Sequence, residues 1–565
     1  MLKPEEIREI VDAHDLYWND KREHLRKLRD VYLTKFWKND TLDIDYVLRT
    51  EVSRAYAVVE SYIGSLYAKN PSVEVQPDLR ARGNPEVAES VANLFLQQAR
   101  PQIEDTTRLA LIYPSSYVKL APVESVDPLK RVSITAVPPW EVIVDSTAGS
   151  WDQQRWVGHS YMMPVPEAEA RFSVSNDTLR GYSYSRWIDT KTDNTTLGQK
   201  EGTPSEDKWI RVVEMYDLIN DKLLIWSPDY LDGNGYLFKG VQVQVGALPD
   251  DAETIENPED AGEIVHETTG IPYKTASGRP VVPIIPMYLS REPDDPLRGY
   301  SLLDRIYDQL REMNVLRTYQ SQGVRRMARQ WLVRAGFLSE DAAAKLAQGI
   351  DGEVIEVDLQ PGEVLDGNII PAPQAPIPAD ISLYASTVEQ DINNAGLLAP
   401  FTRGEATGTT ATEQELLAAY TSSEIGRMAR IRDQVITDIA KTYTIMLSVI
   451  MGEDSEALSL PNPVGPTILS ADDLTGDFSW WAVDAGQTPM SDMTKRRNLA
   501  ELAPLLINLG ADPQAILTEL VRTYQLPESL AQALQPEPVA PEAQPAPESG
   551  EPADQVLTPI PNEVL

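Results

Sequence analysis

Apolar residues at helical spacing toward both ends of the chain, with β-branched runs between them, predict an α+β fold. Val52, Ala55, Tyr56, Val59, Tyr62, Ile63, Leu66 and Tyr67 form one stripe at intervals of three and four, and comparable spacing returns after residue 300. Between 116 and 290 the pattern shortens to runs such as Val132-Ser133-Ile134-Thr135-Ala136-Val137 and Trp209-Ile210-Arg211-Val212-Val213-Glu214-Met215-Tyr216, rich in strand-favouring residues. A chain of 565 residues has room for several cores, and length alone suggests about three or four domains.

Each element has a local reason. The first stripe ends at Asn70-Pro71, because the residue before proline is pushed out of the helical region. An extended stretch over 72–77 follows, and a second helix is expected after Asn84-Pro85, with Val87, Val91, Leu94 and Phe95 on one face. In the middle, Asp232-Gly233-Asn234-Gly235 reads as a turn, and the polar stretches 191–207 and 248–269 read as surface loops.

The stretch 300–328 contains no proline, and Gly323 is its one internal glycine. As a helix it would span about 40 Å, and Arg305, Arg311, Arg317 and Arg325 make it locally basic. A small mixed insert is expected next: a helix near 339–348, a strand over 353–357, and a proline-rich run over 371–378. A helix over 379–398 then carries the acidic Asp380, Glu389 and Asp391.

A Gly/Thr-rich break separates that helix from Thr410-Ala411-Thr412-Glu413, which fits the capping-box pattern and opens the longest helix, to about 451. A strand over 477–483 and helices over 493–509 and 513–524 complete the folded part. From 536 the chain is mostly Pro, Glu, Ala and Gln, a composition that cannot offset the entropy of ordering, and it reads as a disordered tail.

Composition narrows the function. There is no cysteine, which removes disulfides, thiolate metal sites and cysteine nucleophiles. The formal charge is −36, which argues against tight nucleic-acid binding, since duplex DNA carries about one negative charge per 1.7 Å. It suits either an ordinary acidic soluble protein or a surface that stays near DNA without adhering. The first residues lack the apolar core of a signal peptide, and no apolar run approaches the roughly 18 residues of a bilayer span. The expectation is a protein made in a cytoplasm, with no membrane association.

The usual catalytic motifs are missing: no phosphate-binding G-x-x-x-x-G-K-[ST], no G-x-G-x-x-G, no His-rich metal spacing. His14 and His24 lie among charged residues of a helix and are expected on a solvated face. His159 could orient Ser160, but no matching Asp-His-Ser context exists, so a strand residue with an ordinary hydrogen bond is expected. Asp43-Ile44-Asp45 and Asp294-Asp295 offer hard oxygen ligands, yet adjacent acids arise by chance among 86 acidic residues. No catalytic, cofactor or metal residue is assigned.

The order of elements resembles the portal (head-to-tail connector) family of tailed bacteriophages, from about 46 to 524. The local pieces are Leu66-Tyr67-Ala68-Lys69-Asn70-Pro71 before the extended Val73-Glu74-Val75, then the run from Thr106-Thr107-Arg108 through Tyr113-Pro114 to Tyr117-Val118-Lys119. Pro114 stands where many portals have glycine. Next come Gly299-Tyr300-Ser301-Leu302-Leu303-Asp304 with Asn314, the Thr410-Ala411-Thr412-Glu413-Gln414 opening, and Trp480-Trp481-Ala482-Val483-Asp484-Ala485-Gly486-Gln487-Thr488-Pro489.

The resemblance implies a portal fold: a wing over 1–298, stem helices over 299–328 and 379–400, and a small α/β clip over 329–378. A tunnel loop over 401–411, a long wing helix and strand over 412–485, a helical crown over 486–535 and an acidic tail over 536–565 complete it. It also implies a non-enzymatic channel at one capsid vertex of the virion, a homo-oligomeric ring with twelve subunits in the family, for DNA packaging and ejection. The implied partners are the terminase large subunit, neck and tail adaptors, major capsid and scaffolding proteins, and duplex DNA passing non-specifically. Phe401, Thr402, Arg403, Gly404, Glu405 and Gly408 would form the loop facing DNA. Arg305, Arg311, Arg317 and Arg325 would pair with Asp380, Glu389 and Asp391 across subunits. The rival expectations are another neck, adaptor or baseplate protein, and, from a different class, a metal-dependent nuclease or hydrolase.

Overall fold

A computed structural model describes residues 2–38, 49–77, 83–172, 174–175, 178–184, 188, 199–200, 208–230, 237, 270–293, 297–327, 331–348, 355–362, 364–366, 368–371, 379–395, 411–452, 455–460, 466–476, 478–483, 502 and 504. The architecture is mixed helix and sheet, in the α+β class. The chain divides into two compact units, Met1–Gln487 and Thr488–Leu565. Of the second, Leu502 and Pro504 are described, both helical.

The first unit opens with α1 (Pro4–Tyr32), α2 (Arg54–Leu66), β1 (Ser72–Pro77) and α3 (Pro85–Ile112). Its middle runs β2 (Ser116–Pro122), β3 (Val132–Val137), β4 (Val142–Val144), β5 (Trp156–Pro164), α4 (Val165–Phe172), β6 (Ser183–Tyr184), β7 (Gln199–Lys200), β8 (Trp209–Asp217), β9 (Lys222–Trp226) and β10 (Ile284–Met287). Then come α5 (Leu302–Met327), β11 (Trp331–Val333), α6 (Glu340–Gln348), β12 (Ile369–Pro371) and α7 (Ala379–Ala395). It closes with α8 (Ala411–Met451), β13 (Ser455–Ser459), β14 (Pro466–Ser470), α9 (Ala471–Leu474) and β15 (Phe478–Val483).

Strand alternation builds the layers. In the four-stranded sheet β4-β5-β8-β9, the residues Val213, Met215, Leu224 and Trp226 face Ile7 and Val11 of α1. Their neighbours Tyr216 and Leu223 point the other way, onto Tyr117 and Ile284 of the three-stranded sheet β10-β2-β3. The next residues along β2, Val118 and Leu120, face back into the main core with α3 and α8. Through the first turns of α1 the order is therefore α1, sheet, sheet, helices, and from Trp18 onward α1 enters the main core itself. Each strand residue is assigned to its layer by the period of two.

The main core gathers α2, α3, α8 and the start of α5 around Val59, Leu66, Phe95, Leu96, Ile306 and Tyr443, with the Phe95 and Tyr443 rings stacked 3.8 Å apart. Asn84 caps α3 by accepting from the Glu86 amide (3.1 Å), and Pro85 at its first position lacks a donor the helix would not use. Strand β1 pairs antiparallel with β15, Ser72 opposite Val483. Its other edge is closed by side chains of α3: Asn93 bridges both backbone groups of Val73 (2.8 and 3.0 Å), and Glu89 accepts from the Val75 amide (2.9 Å).

Several expectations need correction. Tyr56 is 50% exposed, so the inward face of α2 runs through Val58 instead. The strand expected over 353–357 is absent at 355–357: β11 takes β12 as its ladder partner, leaving that segment none. The Asp232–Gly235 turn, both acidic pairs at 43–45 and 294–295, the break at 401–410, and nearly all of 486–565 lie outside the described residues.

Candidate functional site

The element with the clearest functional geometry is the pair α5 and α7, joined through the β11–α6–β12 insert. Helix α5 starts where Ser301 Oγ accepts from the amides of Leu303 (3.1 Å) and Asp304 (3.4 Å), while donating to the carbonyl of Ile112 (2.7 Å). One hydroxyl thus caps the helix and ties it to the end of α3. Leu302, Leu303, Ile306, Leu310 and Met313 on α5, and Val388 and Ile392 on α7, enter the same core as Ile425 and Met428 of α8.

Polar contacts fix this root. The Val52 amide donates to Asn314 Oδ1 (2.9 Å), and Thr318 Oγ1 exchanges bonds with the backbone of Thr50 (3.1 and 3.3 Å). His24 Nε2 donates to Asp304 Oδ1 (2.5 Å), and this bond raises the imidazole pKa against the opposing effect of burial. Arg54 reaches from α2 to Asn393 and, at 3.5 Å, to Glu389 on α7. Tyr384 of α7 donates to Glu312 of α5. Helix α5 is thus held by α1 and by the segment before α2, α7 by Arg54 of α2, and the two by each other.

The predicted pairing residues fall into three groups. Arg305 donates to Ser290 Oγ (3.0 Å), and Glu389 faces Arg54, so these two have partners within their own chain. Arg311, Arg317, Asp380 and Asp391 are exposed on the two helices, and Arg311 also interacts within the chain. Arg325 lies in α5, with its side chain outside the described residues, as are Phe401, Thr402, Arg403, Gly404, Glu405 and Gly408. The insert between the helices is a two-stranded ladder, Val333 opposite Ile369, with α6 in the connection and Leu332, Val364, Leu365 and Ile370 exposed.

A second polar cluster joins the two sheets. Lys119 Nζ of β2 donates to Glu214 Oε2 of β8 (2.6 Å) and to His159 Nδ1 of β5 (2.8 Å), and the Tyr161 hydroxyl donates to Glu214 Oε1 (2.7 Å). Burial and the adjacent Lys119 push the His159 pKa well below its ordinary value. Burial alone would raise Glu214, but Lys119 and its hydrogen bonds hold the carboxyl below the usual range. Nearby Glu141 is pushed up by burial to about 7. Ser160 does not face His159; its hydroxyl accepts from Arg211 Nε (2.6 Å), whose guanidinium also makes a bidentate pair with Asp15 of α1 (2.6 and 2.8 Å). His159 is thus a buried strand residue in an inter-sheet ion-pair network.

His14 corrects the expectation of a solvated face, whereas His24, with 52% of its side chain exposed, meets it. His14 Nε2 donates to the Trp140 carbonyl (2.9 Å), and burial lowers its pKa to about 4, while His24 is bound to Asp304 as above. Two arginines also carry more structure than their sequence neighbours suggest. Arg432 of α8 is 0% exposed, bonded to the Leu66 carbonyl and to Asp433, and Arg211 is equally buried under α1. The available signal was a charged residue on an otherwise apolar stripe, as Arg432 is between Met428 and Val435. Among the described residues, no group of three or more His, Asp or Glu side chains is placed to hold a metal ion. No helix among them is long and apolar enough to cross a membrane.

No protein-family model matches the chain, and no curated protein matches it.

Proposed function

We propose that this chain is the subunit of a phage portal, a ring at one capsid vertex through which duplex DNA is packaged and ejected. The observation that carries the reading is the series α5, compact insert, α7 and then the 41-residue α8, with the three helices seated in one core. In this reading α5 and α7 form the stem and the insert is the clip that docks the terminase large subunit and later the neck and tail adaptors. The sheets and α8 form the wing, 401–411 the tunnel loop, and 486–535 the crown. Major capsid and scaffolding proteins surround the ring. Arg311 and Arg317 on one helix, with Asp380 and Asp391 on the other, suit pairing between neighbours, where exposed ion pairs select register more than they add stability.

The acidic balance fits the task. A chain at −36 avoids the counterion release that dominates non-specific DNA affinity, so DNA moves past without arrest. Negative-stain imaging of the purified protein tests the reading: the expected particle is a radial ring with a central hole. A solid particle without an axial opening would remove it.

A further inference from the structure

The two faces of the wing differ in a way that suits head-to-tail contact between copies. On α1, the buried side is Ile7, Val11, Asp15 and Trp18. The opposite side presents Glu5, Glu9, Asp12, Leu16 and Asp20, all exposed and all within one narrow stripe at helical spacing. Four of the five are acidic, and Leu16, at their centre, is 74% exposed. Glu5, Glu9 and Asp12 are like charges at i,i+3 and i,i+4, which the exposed Arg8, at i+3 from Glu5 and i−4 from Asp12, offsets in part within the helix.

A matching cationic surface lies in another layer, beside α8. A groove of about 950 Å³ opens between α8 and the segments around β10, floored by Val282, Ile431 and Val435. Its rim carries Arg279, Arg291, Arg430 and Lys441, all exposed. Two acids share it. Asp152 offers its carbonyl to Arg279 (3.2 Å), and Asp438 accepts from Gln434 (3.1 Å). This is a basic site on a strongly acidic chain.

The spacings agree. Glu9 and Asp20 are eleven residues apart on α1, as are Arg430 and Lys441 on α8. Eleven residues are three helical turns, about 16 Å, so each pair lies on one face of its helix with the same separation. The volume suits side chains of one helix face rather than a whole helix. The first turns of α1 lie against one face of the four-stranded sheet and β10 lies beyond its other face, so Glu5, Glu9 and Asp12 and the groove sit on different layers of one subunit. Such a contact between copies is heterologous, the type that closes rings.

We propose that the Glu5–Asp20 stripe of α1 docks into the Arg430–Lys441 groove of a second copy of this chain, with Leu16 on the apolar floor. The ring closure it serves rests on the portal reading; the contact itself does not.

The test uses the full chain, whose lack of cysteine gives a clean background. Leu16→Cys and Gln434→Cys proteins, central to the two surfaces, are mixed and treated with a short bismaleimide. A mixed dimer well above a Leu16→Cys plus Asp341→Cys control is expected, and parity with that control overturns the contact. Charge reversal is the second arm. Glu9→Lys with Asp12→Lys, or Arg430→Glu with Lys441→Glu, should each weaken self-association about tenfold, and a mixture of the two double variants should recover it. Rings unaffected by either reversal overturn the groove contact and leave the portal reading standing. Trapped dimers without any pored particle do the reverse.

Discussion

Gly299 lies so close to Pro114 that a β-carbon on it would fall 1.6 Å from the Pro114 carbonyl oxygen, and 2.8 Å from that of Ser290. Two pieces of chain nearly two hundred residues apart therefore meet backbone to backbone, at the point where α5 begins. Both neighbours are main chain and cannot swing aside. Gly299→Ala should destabilise the unit by about 3 kcal/mol or more, or prevent soluble expression. Gly64→Ala in α2, where a β-carbon meets open space, should instead stabilise it by about 0.5–1 kcal/mol. Urea melts of the two variants separate a packing constraint at 299 from a general intolerance of alanine.

Asn314 tests whether α5 is anchored by polar contacts or by packing alone. It is 3% exposed and accepts the amide of Val52, beside the bonds of the Thr50 backbone to Thr318 one turn on. Asn314→Ala leaves a donor unsatisfied and should cost about 1–3 kcal/mol. Hydrogen exchange should show the loss first at residues 50–52 and along α5. Unchanged exchange there would mean the apolar contacts of Leu310 and Met313 suffice.

Much of this frame could be read from the chain before any coordinates. The stripes of α2 and α8, the runs of β3 and β8, and the small insert between α5 and α7 all follow from local periodicity and turn residues. What could not be read is pairing at a distance. Ser72 finds Val483 across some four hundred residues, and nothing in either segment names the other, since the register depends on helices packed between. The same holds for His24, whose partner Asp304 lies on another helix. The strand expected at 353–357 is absent over its described part, 355–357, for a related reason: its composition was suitable, but a strand needs a ladder partner, and Trp331–Val333 pairs with Ile369–Pro371. For the candidate site, periodicity located α5 and α7, while their attachment through Arg54 and Asn314 depends on tertiary contacts.

Lys119 and Glu214 sit between the two sheets with side chains 11% and 9% exposed. Removing one partner of such a pair strands the other charge, so Lys119→Met should cost about 3–5 kcal/mol. The double change Lys119→Met with Glu214→Gln should recover part of that loss, because the buried charge goes as well. A double-mutant cycle in chemical denaturation reads the coupling directly. Equal losses from the single and double variants would show that Tyr161 and His159 carry the sheet contact instead.

The bond from His24 to Asp304 raises the imidazole pKa and makes the α1–α5 junction pH-dependent. A group with a folded pKa above its unfolded value stabilises the fold fully below the unfolded value, near 6.5, and that contribution is lost as pH rises through the folded value. The stabilisation of wild type relative to His24→Gln should therefore shrink as pH rises from 6 toward 8, whereas the depressed pKa values of His14 and His159 act on both proteins alike and in the opposite direction. A variant with the wild-type slope would place the dependence elsewhere.

The segment between α7 and α8, which lies outside the described residues, gives the functional prediction of the portal reading. Gly404 and Gly408 permit backbone conformations that other residues disfavour, and Arg403 is the one cation between Phe401 and Thr410. A loop that touches DNA transiently needs that freedom and little charge, because each added phosphate contact strengthens salt-dependent binding and slows passage. Deleting 404–408 should leave ring formation intact while reducing the DNA packaged and retained per particle. Replacing Glu405 with lysine should slow ejection, most strongly at low salt. Wild-type packaging and retention in the deletion would reduce the segment to a plain connection between two helices, and the channel contact with DNA would have to come from the stem itself.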